Sequence, residues 1–213
     1  MNLLYLCAVV VAVVILAAVA CINRDYLVPA TTLSVRPGET YEDVVAGSTF
    51  PVSKHAVLPG KGSGATDVDA PTLVIVFNDS VNGFTLPPTK FAQITWRDGR
   101  VATITTSPMF EALPFDDAVV LVNQLQTEFR KAGWEPGGRS DERAPSWFDI
   151  TSAAGLSELR QASMPEVRRG NTLKLVVSHR YAMRFSFRCW DYCAPAPNKY
   201  TLYRIDISIS PDD

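Results

Sequence analysis

Two histidines in 213 residues leave little imidazole for catalysis or metal binding. Cysteine is also scarce. Of the four present, Cys7 and Cys21 lie in an apolar run, so only Cys189 and Cys193 remain for a folded part. A zinc site needs about four ligands, which this supply does not meet, and no metal is expected. Charge of one sign is not in excess. The formal net charge is −2, which excludes a general nucleic-acid binder, because neutralising phosphates takes a strong positive balance. A Gly-x-Ser-x-Gly nucleophile elbow is missing. The stretch Pro59-Gly60-Lys61-Gly62-Ser63-Gly64 is glycine-rich, yet it lacks the Gly-Lys-Ser/Thr ending of a phosphate loop and reads as a flexible linker. There is no internal repeat, and nothing asks for a cofactor. Disorder of the whole chain is excluded by a 47% hydrophobic content.

The strongest positive signal is the run Leu3 to Ile22, which carries no charge. As a helix rising ~1.5 Å per residue it is long enough for the ~30 Å hydrocarbon core of a bilayer. Residues 1–22 are therefore expected to be a membrane anchor or signal segment. Three fates remain open: retention as an anchor, cleavage after the small residues Ala18-Val19-Ala20, or lipidation of Cys21. The last follows from a resemblance, because Leu16-Ala17-Ala18-Val19-Ala20-Cys21 resembles the lipobox of bacterial lipoproteins. Arg24 and Arg36 follow the run and no Lys or Arg precedes it, which by the positive-inside rule favours a cytoplasmic C-terminal part. Cys189 and Cys193 argue for the other side. They bracket Trp190-Asp191-Tyr192 between two predicted strands, a spacing that suits a disulfide, and disulfides persist in oxidising compartments. An extracytoplasmic, periplasmic or cell-surface domain is the expectation.

Residues 23–70 read as a Pro/Gly-rich tether, broken at Pro29, Pro37-Gly38, Pro51 and the glycine-rich stretch, with a short helix capped by Thr40. Residues 71–213 read as one globular α+β domain. At ~145 residues such a domain buries roughly 68–70% of its unfolded surface and supports its own core. Thr72 to Phe77 is a β-branched, apolar run and predicts a buried strand. Phe91 to Trp96 and Val101 to Thr106 flank Arg97-Asp98-Gly99-Arg100, whose Asp-Gly predicts a tight hairpin. Ala118, Leu121, Val122, Leu125, Phe129 and Ala132 recur at helical spacing. That helix opens on Asp116-Asp117, offered as its cap, and closes at Gly133. Glu135 to Pro145 reads as a loop. Thr151 to Ala162 predicts a weaker helix with Ala154, Leu159 and Ala162 inward and Gly155 as a weakness. Leu173 to Cys189 alternates apolar and polar residues, as one long strand or two joined near Ser178-His179-Arg180. Tyr203 to Ser210 alternates likewise and is expected to pair with it. The expected architecture is one antiparallel sheet with two helices packed on one face.

Candidate chemistry is thin. His179 falls on the apolar side of the alternating segment, where a general base is conceivable, but no nucleophile or acid is placed near it by spacing. His55 lies in the tether. Asp116-Asp117 are explained by capping, and Asp67, Asp69, Asp212 and Asp213 by solvation. Lys174, Arg180, Arg184 and Arg188 share one strand face, which is either solvated or a contact surface for lipid headgroups or an acidic protein; arginine suits such contacts through bidentate bonding. Trp190 and Tyr192 sit on the cysteine loop, either as binding anchors or folded back onto the core.

These features favour a membrane-tethered, extracytoplasmic binding module without catalytic activity, of the inhibitor, immunity or assembly type, with a protein partner and no nucleic acid. The alternatives are a hydrolase with a site around His179 and a purely structural envelope lipoprotein. Differential alkylation of the native protein followed by peptide mass mapping checks the compartment. Cys189 and Cys193 are expected to take up the reagent only after reduction. Uptake without reductant removes the main support for an extracytoplasmic domain.

Overall fold

The computed structural model describes residues 29–57, 62–137, 146–162, 171–191, 193 and 198–212. The expected membrane segment 1–22, with Cys21, lies outside them, as does Tyr192. Among the described residues no helix is long and apolar enough to cross a membrane. The elements run β1 (Thr31–Val35), α1 (Tyr41–Gly47), α2 (Val52–His55), β2 (Ala56–Val57), β3 (Ser63–Phe77), β4 (Phe84–Thr85), β5 (Thr89–Arg97), β6 (Arg100–Thr106), β7 (Leu113–Pro114), α3 (Phe115–Lys131), β8 (Glu135–Pro136), α4 (Ala153–Ala162), β9 (Asn171–Val177), β10 (Tyr181–Asp191) and β11 (Leu202–Pro211). The described residues form an α+β fold, with a mostly antiparallel sheet and four helices.

The main path of the sheet is β1-β3-β5-β6-β11-β10-β9-β8. Two antiparallel systems build it. One is the β5–β6 hairpin with β3, the other the β9–β10 hairpin with β11. They meet through three pairs between β6 and β11: Thr106↔Ile207, Thr105↔Ser208 and Ile104↔Ile209. Alternation decides which face is buried. Ile94, Trp96, Ile104, Tyr203, Ile205, Ile207, Met183, Phe185 and Phe187 point to the core, and every one of them is buried. Helix α3 covers this face with Ala118, Val122, Leu125 and Phe129. Phe129 meets the rings of Phe84 and Phe185 edge-on, with centroids 4.9 and 5.6 Å away. Burying a side chain of this size stabilises by about 2–3 kcal/mol.

The hairpin predicted at Asp98-Gly99 forms, with both residues at positive φ (50° and 74°). Helix α3 ends as predicted. Gly133 is left-handed (φ 76°), Trp134 N–H donates to Phe129 O and Gly133 N–H to Arg130 O, the paired bonds of a Schellman ending. Its start differs from expectation. Pro114 precedes the first turn and no side chain caps it, so Asp116 and Asp117 act only as charges in the positive first turn. The Leu173–Cys189 alternation is a hairpin, turning at residues 178–180 with Arg180 N–H donating to Val177 O.

The tether expectation does not survive for residues 31–57 and 63–70. β1 pairs in parallel with the second half of β3, and Leu33, Val35, Val44, Phe50 and Val52 join the core. The sheet is thus mixed rather than wholly antiparallel. β3 starts nine residues before the apolar run at Thr72, at Ser63. Pro71 sits where the β3–β5 register shifts between Asp69 and Leu73, so a residue without an N–H interrupts the ladder without ending the strand. The short elements here carry one to three inward residues each, too few to stand out beside proline and glycine. Thr40 does cap α1, accepting from Asp43 N–H. In α4 the inward set is also corrected: Leu159 is buried, Ala154 is exposed, and Gly155 is the buried close-approach residue against Asp149.

Gly83 holds the tightest backbone approach to a polar turn. A Cβ there would lie 2.3 Å from Asp79 O and 2.7 Å from Phe77 O. Both obstacles are main chain, so relief requires moving β3 or its turn. Gly83→Ala is expected to destabilise by about 2–3 kcal/mol, lowering Tm by roughly 5–10 °C in thermal unfolding followed by near-UV circular dichroism; an unchanged Tm contradicts this packing.

Candidate binding surface

With one sheet face covered, the opposite face of β3, β5, β6, β11, β10 and β9 presents the alternate residues. Most are short and polar: Thr95, Thr103, Thr105, Ser186, Ser208 and Ser210, none of them buried. Its ion-pair centre lies where β10 and β11 approach Ser107. Asp206 receives Arg188 Nε on one carboxylate oxygen and Arg204 Nε, 3.0 Å away, on the other. Ser107 Oγ donates to Asp206 and accepts from Arg204 Nε at 2.7 Å. Trp190 lies beside both cations, its ring centroid 5.0 Å from the Arg188 guanidinium and 4.6 Å from that of Arg204. Trp190 is nevertheless 49% exposed.

The chain presents Trp190 outward for a local reason. The β10–β11 register shifts between Cys189 and Asp191, and Cys189 is disulfide-bonded to Cys193, with Cα atoms 5.9 Å apart. Cys189 is buried while Trp190 faces out. In a chain-entropy account, closing so short a loop removes about 2 kcal/mol of freedom from the unfolded chain. Beside Trp190 runs a shallow groove of about 280 Å³ lined by Lys90, Phe91, Met109, Phe110, Glu111 and Arg204.

The structure separates residues the sequence had grouped. Lys174, Arg184 and Arg188 share the open face, and Lys174 pairs with Asp212 at 3.2 Å. Arg184 is exposed and has no ion-pair partner among the described residues. Arg180 leaves the set. It sits in the β9–β10 turn and its guanidinium reaches Asp79 on the other side of the domain, with a further bond of 2.9 Å to Asn82 Oδ1. His179 is in that turn too, exposed and left-handed (φ 61°), not on an apolar strand face. The hairpin turn breaks the alternation that had placed it there. His55 ends α2 with its ring 5.1 Å from that of Phe50. Sequence reasoning missed Arg204, Asp206 and Ser107. The alternation of β11 put the first two on one face, but only the register brings them to Arg188.

The second polar cluster is a structural joint. Asp79 accepts from Val81 and Asn82 N–H, from the Tyr181 hydroxyl and from Arg180. Asn82 in turn donates to Ala132 O and accepts Trp134 Nε1–H at its carbonyl. Burial pushes the Asp79 carboxyl up. The two backbone donors, Tyr181 and Arg180 outweigh it and hold the group at about 2, below an ordinary 3.8. Burial, and then the bond to Asp79, push the Tyr181 hydroxyl up. Asp149 is likewise pulled down by Ser152 and Thr151, which it binds at the start of α4.

The Asp206 carboxylate is occupied by two guanidiniums and the Ser107 hydroxyl, while Arg184 and Trp190 are exposed and Arg188 is half-buried beside them. Among the described residues no group of His, Cys, Asp and Glu could hold a metal ion. Compared with known protein families, curated proteins and solved structures, the chain matches none.

Because Asp79 is depressed in the folded state, its stabilising effect is full above the unfolded value of 3.8 and is lost as pH falls through that value toward 2. The contribution is on the order of 2 kcal/mol. Asp79→Asn is expected to be less stable than the parent at neutral pH and to show a flatter decline of urea-unfolding stability between about pH 5 and pH 2. Parallel pH profiles for the two proteins contradict this role for Asp79.

Proposed function

We propose that this protein is a non-enzymatic binding module, tethered to a membrane by its N-terminal apolar run with the domain on the extracytoplasmic side, and that it engages its partner through the open sheet face. The observation that carries this reading is Trp190, half-exposed between the Arg188 and Arg204 guanidiniums and stapled by the neighbouring disulfide. An aromatic ring with ordered arginines is the composition of interface anchors, and pre-ordering reduces the entropy lost on binding. The groove beside it is shallow and mixed in polarity, as contact surfaces are. The uncharged run Leu3 to Ile22 supports the tether, and the Cys189–Cys193 disulfide supports an oxidising compartment. His179, on which the alternative hydrolase reading centres, occupies an exposed hairpin turn. Cys21 remains the residue that would carry a lipid if the segment is processed at the lipobox-like site.

A photo-activated benzoylphenylalanine placed at Trp190, in the full chain in native membranes, tests the contact surface. A discrete adduct is expected from position 190. None is expected from Val120, which is 68% exposed on the outer side of α3. Equal adducts from both positions, or none from 190, overturn the reading.

A further inference from the structure

We infer that the open sheet face is self-complementary and that its partner is a second copy of this chain, packed face to face about a two-fold axis. The inference rests on the reading of this face as a contact surface and deepens it by naming the partner.

Asp67 pairs with Gln93, Gln93 with Thr105, Thr105 with Ser208, Ser208 with Arg184 and Arg184 with Lys174. These six residues form one row straight across the sheet, and none of them is buried. The row is acidic at its β3 end, basic at its β10 and β9 end and neutral between. Asp67 and Arg184 stand two strands to either side of Thr105. A two-fold axis running along the strands and passing over Thr105 therefore carries Asp67 of each copy onto Arg184 of the other, Gln93 onto Ser208, and Thr105 onto itself. That is the requirement of an isologous contact: residue i meets j, and j meets i. At a strand spacing of about 4.8 Å, the two charges lie roughly 19 Å apart within one copy, too far to satisfy each other directly.

The adjacent row agrees. Phe91 is 38% exposed one strand from β6, on the β5 side. Asp206, bound to Ser107 just past the end of β6, lies one strand away on the β11 side. The same axis brings Phe91 of one copy onto the Arg188–Asp206–Arg204 cluster of the other, where a ring can rest on guanidinium planes. Asp69, beside Phe91 on β3, is exposed and adds a second negative charge at the acidic end. Around Thr105 the neighbouring open-face side chains are Gln93, Thr95, Thr103, Ser208 and Ser210, which let two sheets approach and can hydrogen-bond across. Within the row the acid is on β3 and the bases are on β10 and β9; of the other charges on this face, Lys90 lies in the groove beside Trp190, and Arg97 and Arg100 lie at the far ends of β5 and β6, where Arg100 donates to Gly38 O. Tethering two copies to one membrane raises their effective concentration, so a polar face of modest affinity suffices.

Charge reversal at the two ends of the row is the test. Asp67 and Arg184 are both exposed, so Asp67→Arg and Arg184→Asp are expected to leave Tm unchanged. The full-length chain in non-ionic detergent micelles, followed across a concentration series by sedimentation velocity, is expected to self-associate. Each reversal alone places like charges opposite each other twice per dimer and is expected to weaken association at least about tenfold. Mixing the two variants restores both pairs, so a heterodimer of roughly parental affinity is expected where neither variant self-associates. A parent that stays monomeric, or reversals that change nothing, or a mixture that fails to associate, overturns the inference. If the parent is monomeric while position 190 still gives a discrete adduct with another protein or with lipid, the face remains a contact surface and only the second copy is excluded.

Discussion

Three residue pairs hold the two halves of this sheet together. Thr106↔Ile207, Thr105↔Ser208 and Ile104↔Ile209 are the splice between the β3–β5–β6 system and the β9–β10–β11 system. Neither half could bury its apolar face alone: a hairpin with one extra strand needs something to pack against. The splice makes one continuous apolar face, onto which α3 and the short N-terminal helices close. A side-chain period of two then leaves no choice about the opposite face. A slip of one residue at the splice would turn Ile207 and Ile209 outward and bury Ser208 and Asp206. It would also dissolve the contact between Asp206 and Ser107, and the row from Asp67 to Lys174.

The second joint works at a distance from the splice. Asp79 follows the last residues of β3, Arg180 and Tyr181 belong to the β9–β10 hairpin, and Asn82 reaches the end of α3 at Ala132 and Trp134. One buried carboxylate thus ties together the two halves of the sheet and the main helix. It tolerates burial only because four donors surround it. Its ring neighbours are packed with it: Phe77 lies 5.1 Å from Tyr181 and 5.6 Å from Trp134. Arg180 was grouped with Arg184 and Arg188 by sequence parity, but serves this joint instead.

The open face inherits its character from both constraints. It is polar because the other side is the core, and its aromatic anchor is local. Trp190 stands on a bulge enclosed by the Cys189–Cys193 bond, beside arginines held by Asp206. Threonines and serines make up most of the middle of this face, with Asp67 at one edge of the central row and Arg184 and Lys174 at the other.

Much of this was legible from residue patterns alone. The Asp98-Gly99 turn, the periodicity of α3 with Gly133 at its end, and the alternation of β10 and β11 are local properties, set by backbone sterics and the period of the side chains. The disulfide partners were the one pair of cysteines outside the apolar run. Local pattern failed where an element is short or where its partner is far along the chain. β1 has only Leu33 and Val35 as inward signals, and it becomes a strand because β3 offers it an edge. Gly155 reads as a helix weakness until Asp149 is seen against it. His179 and Arg180 were assigned faces by counting through a turn. Arg204, Asp206 and Ser107 meet only because β11 pairs with β10 on one side and β6 on the other. By itself, then, the sequence determined the longer elements and which side of each is apolar, since both follow from neighbours within a few residues. Tertiary structure alone decided which charges share a row and which are locked into joints, because strand register is a choice between segments as much as a hundred residues apart.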